Sequence, residues 1–71
     1  MPYQIEELRE ARRNQGERGW LFISATLPSG QRVTGPVIGM GSMVAVRDMQ
    51  SDALVEDIKA EWVTGWEVVE V

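Results

Sequence analysis

Two pairs of carboxylates, Asp48 with Asp52 and Glu56 with Asp57, are the nearest this 71-residue chain comes to an acid–base site. General acid–base chemistry needs two such groups aimed at one substrate. Neighbours in a strand point to opposite faces, so Glu56 and Asp57 cannot share a substrate if their segment is extended. DMQSD, the run holding Asp48 and Asp52, lacks the carboxylate count and the glycine of a calcium loop. Solvated side chains account for both pairs more simply than catalysis does. The chain has no histidine and no cysteine. Their absence removes the commonest general base, the thiolate nucleophile and most transition-metal ligands, and leaves no disulfide to reinforce a small core. We expect no enzyme activity, no metal, no cofactor and no small-molecule substrate.

GMGSM, residues 39–43, has the glycine content of a phosphate-holding loop. Such loops require a helix next, with its N-terminus on the phosphate, and one class adds a lysine. Here an alternating β-branched run follows and no lysine is near. The glycines of 30–41 therefore serve to turn and bend strands. Tyr3, Trp20 and Phe22 are suited to stacking on bases, and Arg9, Arg12, Arg13 and Arg18 to meeting phosphates. Four glutamates interleave with those arginines, and the net charge of the chain is −4. That field disfavours nucleic acid. The charge is also uneven, +1 over residues 1–36 and −5 over 37–71. An acidic half repels phosphate and attracts basic surfaces.

These side chains have to be positioned by few elements. Residues 2–15 carry the signs of a helix: Pro2 in the first turn, Glu6 and Glu7 near its positive end, Arg12 and Arg13 near its negative end, and Gly16 as a stop. Ile5, Leu8 and Ala11 form a thin apolar stripe, to lie on a sheet or plug the end of a barrel. From Gly19 the period becomes two. Leu21, Ile23, Ala25 and Leu27 mark one face of a strand and Trp20, Phe22, Ser24 and Thr26 the other. Both faces start apolar, so the helix is expected over Trp20 and Phe22. PSG at 28–30 is a turn. QRVTGPVIG is a second strand with Val33 and Val37 inward, and Gly35 sits where a side chain would crowd a neighbouring backbone. Further strands are expected at 43–48, 53–58 and 66–71, with a turn at 50–52, a short helix as an alternative through KAEW, and Gly65 as a bend.

One helix and five short, bent strands resemble the layout of the Sm-like barrels. Leu27, Gly30, Val33, Gly35 and Val37 are similar to that family's first block, and Val63, Thr64, Gly65, Trp66 and Val68 to its second. The resemblance implies a small barrel; an SH3-like barrel fits the same pattern. In RNA-binding members an aspartate, an asparagine and an arginine build the base pocket. Their positions fall near Gly41, Ala45 and Thr64, whose side chains cannot do that work.

The fold expected is mainly β: one domain over residues 1–71, with a helix at 2–15 and a bent antiparallel sheet or Sm-like or SH3-like barrel at 19–71. The function expected is a non-enzymatic interaction module. It would bind a protein, or itself as a homo-oligomer, through strand edges and an apolar patch at Met40, Met43 and Trp66. A sharper form is an acidic regulator that presents Asp48, Asp52, Glu56, Asp57 and Glu61 to a basic groove of a nucleic-acid-handling protein, as an accessory protein of a bacterium or phage would. The competing expectation is an Sm-like RNA binder using another surface. No run approaches the roughly 20 apolar residues of a membrane span, and MPYQIEELREARR is not a secretory signal. A cytoplasmic location is expected.

Overall fold

The period-two run beginning at Gly19 becomes an interior strand of one antiparallel sheet, paired on both sides. A computed structural model describes residues 3–70. In chain order it contains α1 (Ile5–Arg13), β1 (Gly19–Thr26), β2 (Arg32–Met40), β3 (Val44–Arg47), β4 (Leu54–Ile58), a 3₁₀ turn (Ala60–Trp62) and β5 (Val63–Glu70). The sheet order is β4-β3-β2-β1-β5. Leu21, Ile23 and Ala25 of β1, Val33 and Val37 of β2, Val44 and Val46 of β3, Ile58 and Val63 are all buried against one another. Their branched aliphatic side chains pack densely on a pleated surface.

The connection between β4 and β5 forces this sheet to curl. Lys59 and the 3₁₀ turn carry the chain from one edge strand to the other. Such a link reaches at most about 14 Å, whereas a flat five-stranded sheet is about 19 Å across. The curl is produced at three breaks in register. The extra residues lie around Ile38 in β2, at Glu56–Asp57 in β4 and at Thr64 in β5. Each is a bulge, which bends a strand and increases its twist. Asp57 takes a left-handed φ of 62° there. The curl stops short of a closed barrel: among the described residues no ladder joins β4 to β5.

Gly35 is where the structure needs glycine for space. A Cβ at that position would collide with the carbonyl oxygen of Arg47, because the end of β3 crosses directly over β2. Just beyond, the Met49 N–H donates to the Thr34 carbonyl at 2.9 Å. Gly30 is needed for conformation. Its φ of +92° closes the 27–30 turn, where the Gly30 N–H donates to the Leu27 carbonyl at 2.8 Å. Gly65 lies next to the bulge at Thr64, but a Cβ there would meet nothing. The expected role of Gly65 as a bend ahead of the last strand is thus corrected. β5 begins three residues before Trp66, at Val63, and a register slip makes the curve.

The helix is shorter than expected and packs elsewhere. It starts at Ile5, with the Gln4 N–H donating to Glu7 Oε1 at 3.3 Å, and ends at Arg13. Pro2, expected in the first turn, lies outside the described residues. Leu8 and Ala11 join the same core as Leu21 and Ile23. The expected cover over Trp20 and Phe22 is therefore absent. The physical reason is packing: Leu8 and Ala11 complete the aliphatic layer, leaving the bulky aromatics on the other face. No helix of the described residues is long and apolar enough to cross a membrane.

Candidate interaction surface

The outward face of β1 sets the site. Its alternation puts Trp20 and Phe22 opposite the buried Leu21 and Ile23. The register brings Pro36 of β2 across from Phe22 on one side and Glu67 of β5 on the other. Ile38, two residues beyond Pro36, shares its outward face by alternation. Two adjoining hollows, of about 310 and 320 Å³, share Phe22, Pro36 and Arg47 in their walls. One extends to Trp20 and Ile38 and the other to Met49. Trp20 is 44% exposed, Ile38 41% and Met49 67%. Contiguous exposed aromatic and aliphatic surface with a polar rim is the composition of a binding face.

That rim is polar by construction. Arg47 reaches the Asp52 carbonyl at 3.1 Å and its carboxylate at 3.8 Å, in solvent. Ser24 and Thr34 are linked by a 3.3 Å hydroxyl–hydroxyl hydrogen bond at the far end. Arg47 also lines both hollows, where its guanidinium can stack or donate to an incoming group.

Sequence reasoning placed the apolar patch at Met40, Met43 and Trp66, and the structure does not gather these three. Met40 ends β2 beside the helix, half-buried. Met43 is exposed in the β2–β3 hairpin. Trp66 is paired with Ile23, level with Gly35 and separated from the hairpin by β1. It is 41% exposed although Ile23 beside it is buried, since the open sheet leaves β5 at an edge. Trp62 packs partly on the core and has the Lys59 ammonium 5.6 Å from its ring centroid.

The five acidic residues also divide. Asp48 is buried and serves the turn after β3. Its carboxylate accepts from the Gln50 N–H at 3.2 Å and the Ser51 hydroxyl at 3.0 Å. These two donors, the Gln50 peptide foremost, hold its pKa below the ordinary carboxylate value. Asp52 is exposed and takes a left-handed φ of 58° in the same turn. Glu56 and Asp57 project from the β4 bulge, and Glu61 is exposed 4.0 Å from Lys59. Among the described residues, no three acidic side chains are grouped in a way that suits a metal ion.

Trp20, Phe22, Pro36 and Ile38 were the residues that sequence reasoning missed as a surface. The signal was the doubly apolar start of GWLFISATL, since an edge-on sheet with one covered face needs only one apolar set. Thr64, at the position where RNA-binding relatives of the resembled barrels carry an arginine, spends its hydroxyl on the Ser24 carbonyl at 3.2 Å. Neither family models, nor curated proteins, nor solved structures give a match to this chain.

Proposed function

We propose that this chain is a non-enzymatic interaction module that holds a protein partner on the outer face of its sheet. The observation that supports the reading is the continuous apolar surface of Trp20, Phe22, Pro36, Ile38 and Met49 with Arg47 in its midst. Large aromatics at the centre of a flat patch, beside an arginine, are the residue types that dominate binding energy. The helix followed by five short, bent strands supports kinship with the Sm-like or SH3-like small barrels as the finer description of the fold. In the acidic-regulator form of the function, Asp48 drops out because its carboxylate is engaged within the turn. Glu56 and Asp57 have no ion-pair partner among the described residues, and Glu61 shares Lys59; these are the exposed acids left to meet a basic surface.

The test places a photo-crosslinking side chain at Ile38, and separately at Gln31 in the exposed β1–β2 turn, in extract from cells that make the protein. Crosslinks to a discrete protein from position 38 and none from 31 are expected. Equal labelling from both, or none from 38, contradicts the reading. The competing RNA-binding reading is addressed by titrating a homopolymer RNA at two salt concentrations. Tight, salt-sensitive binding would favour it and count against the acidic-regulator form.

A further inference from the structure

A second surface, on the opposite side of the core, makes demands that the outer face does not meet. The C-terminal end of α1 and the end of β2 enclose a shallow groove of about 560 Å³, walled by Arg9, Arg12, Arg13, Gln15, Glu17 and Met40, so that three guanidiniums outnumber one carboxylate. Arg9 is occupied: it bonds Glu6 Oε1 at 3.2 Å and donates to the Gly41 carbonyl at 2.8 Å. Among the described residues the guanidiniums of Arg12 and Arg13 have no ion-pair or hydrogen-bond partner. Glu10, which sequence spacing pairs with Arg13, does not reach it within 4 Å. In the same groove Gln15 Oε1 is buried and has no donor. An acceptor buried without a donor costs roughly 1–3 kcal/mol. The groove suits a ligand with carboxylates for two guanidiniums and an apolar group for Met40.

The β4 edge of this chain has that set of groups. β4 pairs with β3 alone, so the backbone groups along its other side are free. Glu56 and Asp57 stand at its bulge with no ion-pair partner among the described residues, and Leu54 at its start is 46% exposed. The same carboxylates disfavour simple edge pairing with the acidic β5 of another copy, which carries Glu67 and Glu70. We propose that a second copy docks its β4 edge, through Glu56 and Asp57, into the arginine groove at the end of α1. The contact joins the more basic half of one copy to the acidic half of the next and is separate from the outer-face surface.

Charge exchange tests this directly. Sedimentation velocity is run on the whole chain, on Arg12→Glu/Arg13→Glu, on Glu56→Arg/Asp57→Arg, and on an equimolar mixture of the two variants. All four substituted side chains are half-buried or exposed and lie outside the core. Since Asp57 has a left-handed φ, Glu56→Arg/Asp57→Asn, which keeps a residue suited to that φ, is run beside the double reversal. The wild type is expected to associate at about 0.05 M salt and to separate at about 0.5 M, where screening shortens to a few ångströms. Each variant alone should associate at least about tenfold more weakly, and the mixture should regain a complex, since both edge-to-groove pairings between the two variants are again of opposite charge. Trp20→Ser/Ile38→Asp should associate like the wild type. A wild type that stays monomeric at low salt overturns the proposal. So does association that survives either charge reversal, or a mixture that fails to recover, or loss of association in the outer-face variant.

Discussion

The two faces of β1 are built from the same alternation and end in different states. Leu21, Ile23 and Ala25 are at most 1% exposed, whereas Trp20 on the other face is 44% exposed and Phe22 half-buried. The face carrying the larger apolar side chains is the one left open. Burial of large aromatics stabilises small domains strongly, so a strand that keeps them outside forgoes that gain. The fold rests on the aliphatic face, and the aromatic face is free for contact with another molecule. A second contrast runs along the strands. Gly35 is required because a backbone crosses it, while Gly65 sits in open space beside a bulge that would curve the sheet without it.

Substitutions across these contrasts should separate them. Leu21→Ala leaves a cavity in the centre of the buried layer and is expected to cost about 2–5 kcal/mol, measured by urea unfolding. For a chain of this size that approaches the whole stability. A loss below about 1 kcal/mol would mean the layer is loosely packed. Gly35→Ala forces the Arg47 carbonyl and β2 apart and should cost about 1–3 kcal/mol or more. Gly65→Ala, by the same assay, should lie within about 0.5 kcal/mol of wild type. Equal effects at the two glycines would remove the distinction between crossing and bulge.

Asp48 gives a smaller, pH-dependent effect. Its folded pKa is lowered by hydrogen bonds from the Gln50 peptide and the Ser51 hydroxyl. A lowered carboxylate pKa contributes stability above its unfolded value, about 4, which is lost as pH falls through the folded value. Thermal midpoints between pH 7 and pH 3 should therefore fall less steeply for Asp48→Asn than for wild type, from a lower starting point at pH 7. Parallel slopes would show that the turn carboxylate does not supply this acid sensitivity.

Much of the architecture was legible because it rests on period and turn chemistry. The inward set of β1, Val33 and Val37 in β2, the 28–30 turn and the crowding at Gly35 follow from alternation and backbone sterics. Which apolar face of β1 the helix would cover was not legible, since both begin with large hydrophobic residues. The thin Leu8–Ala11 stripe fits either. Bulges leave no sure mark in a single sequence, so bending was credited to glycines, Gly65 among them, whereas register slips at Ile38, the Glu56–Asp57 pair and Thr64 curve the sheet. Closure into a barrel likewise depends on geometry summed over five strands. Asp48 was placed among surface acids because DMQSD shows a carboxylate, not the Gln50 and Ser51 donors folded back onto it. The candidate patch shifted for the same reason. Trp66 and the methionines are apolar and exposed, but register alone decides which exposed residues are neighbours.

A small effect on stability is expected of Trp20→Ser with Ile38→Asp, and it tests the central claim most directly. Unfolding of that variant is compared with wild type, alongside affinity capture of the protein crosslinked at position 38. The two-face account expects each substitution to change stability by no more than about 0.5 kcal/mol and capture to be lost. A variant that unfolds as readily as Leu21→Ala, or one that captures the partner undiminished, would contradict it.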